Sequence, residues 1–339
     1  RDSVASRGLG DVYKRQILFG IFSLWTAYVS SVNGLLLARL MTGLGLGAAL
    51  PNLIALCAEA VEERRRGTAI SIMYCGVPLG GAIAAVVGML GGENWQTVFI
   101  VGGVAPLLVA PLLIFALPES RDFREQHQGA APVRESTVQA LFGGGRAGAT
   151  LALWVSYFFT LTVMYMLLNW LPSLLLEQGF SKPQAGTIQM LFNIGGAIGS
   201  LLGGLLLDRR GRTGVVLFAY GGVLASLAGL GFASGMLAMA IAGFAAGLFI
   251  IAAQLVLYAL APPAYPTSVR ATGVGAAVAV GRLGSVSGPL AAGQILAAGA
   301  GTTGVLLAAS PGLVIAALVV LGMSRRRAVE APPASTPSR

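Results

Sequence analysis

The sequence is poor in the residues that bind metals or transfer protons near neutral pH. It contains two cysteines and one histidine in 339 residues, and only 10% of its residues are charged. Cys57 and Cys75 form no closely spaced metal or redox motif, and His127 lies in a polar stretch. Such motifs depend on close spacing of Cys and His. We therefore expect no metal and no cofactor, and no histidine-based proton transfer.

Apolar residues dominate the chain instead. Hydrophobic residues make up 55% of it, and the mean hydropathy is +0.79. A soluble domain has about 25% charged residues and fewer than half apolar ones. The 48 glycines suit transmembrane helices, whose backbones approach closely where side chains are small, whereas a β-barrel would alternate apolar and polar residues. These features predict an all-α polytopic membrane protein in a lipid bilayer.

Stretches of roughly 20 apolar residues predict ten transmembrane helices, because that length crosses about 30 Å of hydrocarbon. One long polar stretch, 118–148, leaves four spans before it and six after it. The predicted spans are 17–32, 35–57, 68–90, 95–117, 149–171, 185–207, 213–232, 236–257, 270–297 and 302–323.

The beginning of the chain differs from the rest. Residues 1–16 are polar, lack an initiator Met and show no signal-peptide order. We expect a truncated protein with about ten of twelve helices, in which two helices and part of a third are missing. The predicted domains are a non-native or degenerate leader at 1–16, a partial N-terminal bundle of helices three to six at 17–117, a cytoplasmic linker at 118–148, a C-terminal bundle of helices seven to twelve at 149–323, and a cytoplasmic tail at 324–339.

The net charge of +9 follows from where the arginines lie. When alternate loops are assigned to one side of the membrane, nearly all basic residues gather there and the other side receives only Lys182. Cytoplasmic loops carry such an excess, so we place the central loop and the C-terminus in the cytoplasm of a bacterial-type inner membrane. The charge needs no nucleic-acid partner. The gathered residues include Arg64–Arg66, Arg121, Arg124, Arg134, Arg146, Arg209, Arg210, Arg212, Arg270 and Arg325–Arg327.

Two arginines stand inside predicted spans, where an ionisable side chain normally faces a cavity or a partner. Arg39 lies near the outer end of the second span, and Arg282 lies near the middle of the span 270–297. A guanidinium matches a carboxylate and stays charged. Each arginine could therefore bind an anionic substrate or repel a proton from a neighbouring carboxylic acid. Alternatively, Arg39 snorkels to the interface and Arg282 caps carbonyls at a kink before Pro289.

Glu59 ends the second predicted span, twenty residues after Arg39. At 1.5 Å per residue the two lie about 30 Å apart along one helix, so they cannot pair. Glu59 is either part of a gate with Arg64–Arg66 or a solvated helix terminus.

Aromatic and amide side chains cluster in several spans. Tyr157 belongs to an aromatic run at 154–170, Asn193 lies in the next span, and Gln254 lies in a later one. Stacking faces with a few hydrogen-bonding groups are typical of a pocket for a flat, partly polar ring. Aromatic residues near span ends also form interfacial belts, so only Tyr157 of the run is predicted to line a cavity.

Glycines mark a packing surface that leads into a charged hairpin. Gly195, Gly199 and Gly203 recur every four residues, and the stretch from Gly204 through Asp208, Arg209 and Gly211 to Arg212 follows directly. This junction indicates a transporter whose helices rock against one another. Pro78, among the glycines of 76–81, predicts a kink in the third span.

Three of these stretches carry a resemblance to a known family. Arg39–Gly47 resembles the fourth-helix motif of the major facilitator superfamily, Gly76–Gly81 its fifth-helix motif, and Gly204–Arg212 its loop motif between helices eight and nine. Within that superfamily, the chain is similar to the aromatic acid:proton symporters. The stretches that carry this similarity are 48–56, 71–78, 95–99, 157–160, 169–172 and 270–284.

The resemblance implies a secondary transporter, not an enzyme. It implies proton-coupled uptake of an aromatic carboxylate such as 3-(3-hydroxyphenyl)propionate, by a monomer with alternating access. Gly204, Asp208, Arg209, Gly211 and Arg212 would form its gating motif. The family's acidic first-helix residues and its first loop motif have no counterpart in this chain.

Two alternatives stay open. One is a transporter of another organic anion, such as benzoate or a hydroxybenzoate, and the other is a non-transporting sensor with the same fold. A membrane-embedded enzyme would need a nucleophile, a metal cluster or an acid–base pair, and the sequence supplies no such set.

Overall fold

A computed structural model describes residues 9–47, 57, 61, 66–92, 94–116, 136–209, 212–266 and 269–330. The helices within these ranges are numbered α1 to α12, and a short 3-10 helix spans Pro262–Ala264. The helices are α1 (Leu9–Ala27), α2 (Val32–Gly47), α3 (Arg66–Tyr74), α4 (Gly76–Leu90), α5 (Gln96–Ala116), α6 (Thr137–Phe142), α7 (Ala147–Glu177), α8 (Lys182–Arg209), α9 (Arg212–Phe232), α10 (Met236–Leu260), α11 (Arg270–Ala297) and α12 (Gly301–Glu330).

The all-α prediction is confirmed. Within the described residues, seven helices are long and apolar enough to cross a membrane, and three shorter apolar helices lie at 16–27, 32–46 and 96–109. The seven are Ser71–Leu90, Ala147–Glu177, Lys182–Leu206, Thr213–Phe232, Met236–Ala264, Thr272–Ala297 and Gly301–Ser324.

Two predicted boundaries around the first turn were wrong. The span predicted at 17–32 runs five residues past the end of α1 at Ala27, and the next helix begins at Val32 rather than at residue 35. The turn between them is polar at Ser31, whose Oγ accepts a hydrogen bond from the N–H of Gly34 at 3.2 Å. A serine that bonds a backbone N–H of the first turn favours the start of a helix.

The predicted kink near Pro78 is a one-residue break in the helix assignment at Cys75, between α3 and α4 and within the single apolar span Ser71–Leu90. A proline lacks the N–H that would bond the carbonyl of residue 74, and its ring clashes with that carbonyl. The break therefore lies three residues before the proline that causes it.

Contacts divide the chain into two compact units, Arg1–Ala131 and Pro132–Arg339. In the first unit, α1 packs against α2 and α5, and α4 packs against α5. Gln16 Nε2 donates a hydrogen bond to the carbonyl of Pro106 at 3.0 Å. The helices α1 and α5 touch at glycines, since a Cβ on Gly103 would lie 2.9 Å from the carbonyl oxygen of Gly20.

In the second unit, α7 is the central helix. It packs against α11 and α12, with further contacts to α8 and α10, while α8 packs along α10. The side chains of Leu153, Leu161, Leu167 and Leu171 on α7 are at most 2% exposed. The core of this unit therefore lies around α7, and α8, α10 and α11 each pack one face against that helix.

The predicted glycine packing surface is confirmed on α8. A Cβ on Gly195 would collide with the carbonyl of Phe244, and a Cβ on Gly199 would collide with the carbonyl of Leu248. From the other side, a Cβ on Gly247 would collide with the carbonyl of Phe192. The facing residue numbers rise together, so α8 and α10 run in the same direction with their backbones in contact.

A second glycine contact joins α11 to α7. A Cβ on Gly281 would lie 3.3 Å from the Tyr157 ring. Cβ atoms on Gly284 and Gly288 would collide with the carbonyls of Phe158 and Thr162. Arg282 therefore projects from a helix whose position along α7 is set by backbone contact.

Candidate functional site

Arg282 on α11 contacts a tyrosine of α7. Its Nη1 donates a hydrogen bond to the hydroxyl oxygen of Tyr165 at 2.8 Å, and its guanidinium carbon lies 6.0 Å from the centre of that ring. The Arg282 side chain is exposed. Within the described residues, no carboxylate forms an ion pair with it. Arg282 is thus a cation whose side-chain partner there is one neutral phenol.

The alternative in which Arg282 caps carbonyls near Pro289 is not what the described residues show. The carbonyl of Pro289 accepts a hydrogen bond from Trp170 Nε1 at 3.0 Å. The guanidinium group points to Tyr165 instead. The carbonyl of Pro289 is therefore bonded by an indole, and the guanidinium is available to a ligand.

Tyr157 and Gln254 meet through Tyr258 on α10. The Tyr157 and Tyr258 rings lie edge to face, with centroids 5.9 Å apart and an interplanar angle of 70°. Gln254 Nε2 donates to the Tyr258 hydroxyl at 3.5 Å, a long hydrogen bond. Tyr157 is completely buried and Tyr258 is partly exposed. We call Tyr157, Gln254 and Tyr258 the aromatic cluster.

The aromatic cluster and the Arg282 contact share helix α7. Tyr157 and Tyr165 are eight residues apart, which corresponds to about 12 Å along a helix. A cation and an aromatic cluster therefore lie on the same unit. The arrangement can hold an organic anion that carries an aromatic ring.

Asn193 does not join either group. Its side chain is 3% exposed, and its Nδ2 donates to the carbonyl of Gln189 at 2.8 Å on the same helix. Gln189 Oε1 is buried and has no hydrogen-bond partner within the described residues. A buried amide oxygen without a donor is unfavourable, so Gln189 is a polar position that the sequence reasoning did not select.

Arg39 lies in the first unit and contacts an aromatic ring. Its guanidinium carbon is 5.4 Å from the centre of the Phe99 ring on α5, which is the geometry of a cation–π contact. The side chain is exposed, whereas its neighbour Ala38 is fully buried. Arg39 lies seven residues after Val32, where α2 begins.

The remaining predicted residues are only partly described. Glu59 and Gly211 lie outside the described residues. Gly204 lies within α8, which ends at Arg209, and α9 begins at Arg212. The side chains of Asp208, Arg209 and Arg212 are not among those described.

Tyr165 and Tyr258 are the contacts that sequence reasoning did not select. Both stand among other aromatic residues of their spans, and the sequence carries no signal for the register between α7, α10 and α11. The glycine contacts set the register of α11 against α7.

The sequence matches the family model of the Major Facilitator Superfamily over residues 16–289 and again over 153–338. It is 54% identical to the 3-(3-hydroxy-phenyl)propionate transporter of Escherichia coli, over 92% of this chain and 77% of the relative. It is 36% identical to the gallate transporter of Pseudomonas putida, over 84% of this chain and 70% of the relative. It is 34% identical to the 4-hydroxybenzoate transporter PcaK of Pseudomonas aeruginosa, over 84% of this chain and 72% of the relative.

A solved structure shares the fold. It is the crystal structure of a bacterial homologue of the human lysosomal transporter Spinster, in an inward-facing and occupied conformation. The TM-score is 0.64 at 17% identity, and the match covers 96% of this chain and 84% of that one.

Proposed function

The chain belongs to the major facilitator superfamily of membrane transporters, and from this premise we propose that it takes up an aromatic carboxylate together with a proton. The observation that carries the proposal is an exposed arginine in an apolar helix, with a neutral partner and with aromatic rings on the same unit. The protein acts as a transporter in the membrane and not as an enzyme.

The substrate class is supported by the chemistry that the relatives share. 3-(3-Hydroxyphenyl)propionate, gallate and 4-hydroxybenzoate each join a carboxylate to a hydroxylated benzene ring. The first of these belongs to the relative at 54% identity, so we propose 3-(3-hydroxyphenyl)propionate as the substrate. Benzoate and the hydroxybenzoates are the competing substrates within the same class.

We assign the carboxylate to Arg282 and the ring to the aromatic cluster. A guanidinium offers two parallel N–H donors to a carboxylate and remains charged through the transport cycle. Tyr258 presents the partly exposed ring of the cluster, and Tyr157 packs against it. We assign the ring hydroxyl of the substrate to Gln254 and Tyr258, whose side chains hydrogen-bond each other. Asn193 adds a polar group in the same unit.

Arg39 and Glu59 are proposed to take part in coupling in the first unit. Arg39 is a fixed charge that would lower the pKa of a neighbouring carboxyl group, and Glu59 is an acid at a predicted helix end. Gly204, Asp208, Arg209, Gly211 and Arg212 would stabilise one state of a gate. Transport then follows from opposed rocking of two helix bundles.

We propose the membrane orientation that the arginines favour. The central segment 118–148 and the C-terminus lie in the cytoplasm of a bacterial-type inner membrane, and the protein works as a monomer. The domains are those predicted from the sequence, with helices seven to twelve forming the C-terminal bundle at 149–323.

Proton coupling is tested by uptake of labelled 3-(3-hydroxyphenyl)propionate into cells with an imposed inward proton gradient. We expect accumulation above the external concentration and its collapse on addition of a protonophore. The assay uses this chain and a version extended at its N-terminus. Accumulation that survives the protonophore would contradict proton coupling, and lack of accumulation by either version, once both are shown to be inserted, would contradict the function.

Tyr258→Phe tests the ring hydroxyl contact. The change removes one hydroxyl and keeps the ring, so we expect the KM for 3-(3-hydroxyphenyl)propionate to rise about tenfold, the value of one hydrogen bond of about 1.4 kcal/mol. The KM for 3-phenylpropionate, which lacks the ring hydroxyl, is expected to stay unchanged. Competition uptake with both acids measures the ratio of their two KM values. An equal change in KM for both acids would contradict the assignment of the ring hydroxyl to Tyr258.

A further inference from the structure

We propose that Tyr165 is a second contact for the substrate carboxylate and that its hydroxyl group positions the guanidinium of Arg282. This inference rests on the proposed function, in which Arg282 binds the carboxylate. It adds a hydrogen-bond donor that the sequence does not reveal.

The hydrogen bond between the two side chains leaves the phenol proton available. Arg282 Nη1 donates and the Tyr165 oxygen accepts, at 2.8 Å. A phenol can accept one hydrogen bond and donate another at the same time. Within the described residues, the Tyr165 hydroxyl has no acceptor of its own. An O–H donor therefore lies directly beside the cation.

A carboxylate is the ligand that fits this pair. It has two oxygens, and the strongest hydrogen bonds to it come from charged or acidic donors that lie side by side. Arg282 can hold one oxygen with its remaining N–H groups, and Tyr165 can donate to the other. A neutral amide offers only one acceptor oxygen, so the pair distinguishes an acid from its amide.

The pair is held in place by the backbone and not by flexible side chains alone. Gly284 and Gly288 of α11 contact the carbonyls of Phe158 and Thr162 on α7. On the far side of Tyr165, its carbonyl accepts a hydrogen bond from Asn169 Nδ2 at 2.7 Å. The two helices that carry Arg282 and Tyr165 therefore cannot slide without breaking close contacts, and the phenol limits the rotamers of a long, exposed arginine.

The experiment compares Tyr165→Phe with the wild type in initial-rate uptake of 3-(3-hydroxyphenyl)propionate. We expect KM to rise about tenfold while the maximal rate changes less than twofold. Competition by 3-(3-hydroxyphenyl)propionamide is measured in the same cells, and the preference for the acid over the amide is expected to fall. In Arg282→Lys together with Tyr165→Phe, the rise in KM is expected to be smaller than the product of the single effects.

Tyr220→Phe is the matched control. It also removes a phenol hydroxyl in the same unit, which is paired with Thr160 Oγ1 at 2.9 Å, but Tyr220 is fully buried on α9. We expect its KM and its acid-to-amide preference to match the wild type. That comparison separates loss of a carboxylate contact from loss of a structural hydrogen bond.

Two results would overturn the assignment of Tyr165 alone. The first is an unchanged KM in Tyr165→Phe, and the second is an equal loss of affinity for the acid and for the amide in that variant. Both results count only when the wild-type protein transports the acid in the same assay. A wild-type protein that accumulates no aromatic acid would overturn the proposed function and this inference with it.

Discussion

Arg282→Ala is expected to lower kcat/KM for aromatic carboxylates at least 100-fold. The structure gives Arg282 no ion-pair partner within the described residues, so its charge is free for the substrate. Removing the cation leaves a carboxylate to be desolvated without compensation, which costs about 3–5 kcal/mol, and each 1.4 kcal/mol is about tenfold. Initial uptake rates over a range of substrate concentrations measure the loss.

Two variants test whether the loss belongs to this position. Arg282→Lys keeps the charge but not the planar fork, so we expect an intermediate effect of about tenfold. Arg270→Ala removes an exposed arginine at the start of the same helix, and it should leave the kinetics unchanged. Equal amounts of each variant in the membrane are the necessary control. Normal uptake by Arg282→Ala at unchanged KM would remove Arg282 from the mechanism.

Gly199→Ala is expected to destabilise the second unit, even though alanine normally favours helices over glycine. The added Cβ would collide with the carbonyl of Leu248 on α10. Because that carbonyl is part of a helix backbone, it cannot change rotamer as a side chain could. Overpacking of this kind costs about 1–3 kcal/mol, or roughly 2–12 °C in the midpoint of thermal unfolding for a unit of this size. Thermal unfolding of the detergent-purified chain measures the shift.

Gly221→Ala is the matched control on α9. A Cβ there has no atom within 4 Å, so only helix propensity changes, and we expect equal or slightly higher stability, by up to about 1 kcal/mol. Equal melting of the two variants would contradict close packing of α8 on α10. Because α10 carries Gln254 and Tyr258, Gly199→Ala is also expected to weaken uptake of hydroxylated acids.

The helices themselves could be predicted from the sequence because hydropathy is a local property. A stretch of apolar residues requires a helix in the bilayer, where each backbone group must find its partner within the segment. The glycines at 195, 199 and 203 likewise predicted a contact surface. In the structure this surface packs against α10. The helix ends near residues 28–35 were misplaced, because Ser30, Ser31 and Asn33 stand between single apolar residues and do not show which serine starts the new helix. The structure places that start at Ser31, which accepts a hydrogen bond from the N–H of Gly34.

The site was predicted in part. Arg282 was selected as a candidate because a charged side chain in an apolar span is costly and normally faces a cavity or a partner. Its partner Tyr165 was not selected among the aromatic residues of 154–170, and Tyr258 was not selected beside Gln254. Asn193 was selected for its polarity, but its amide group bonds the carbonyl of Gln189, a local contact that composition cannot reveal.

The sequence alone determined that this protein is a polytopic helical membrane protein, where most of its helices run, and that Arg39 and Arg282 are charged residues within apolar spans. Each of these conclusions follows from the free energy of placing a residue in hydrocarbon. That free energy depends on the residue type and not on which residues lie next to it in space. The tertiary structure alone decided that Arg282 meets Tyr165 and that Tyr157 meets Tyr258. Both pairs depend on the register between helices. Glycines set that register where α11 touches α7, and the Tyr157–Tyr258 pair depends on the packing of α10 against α7.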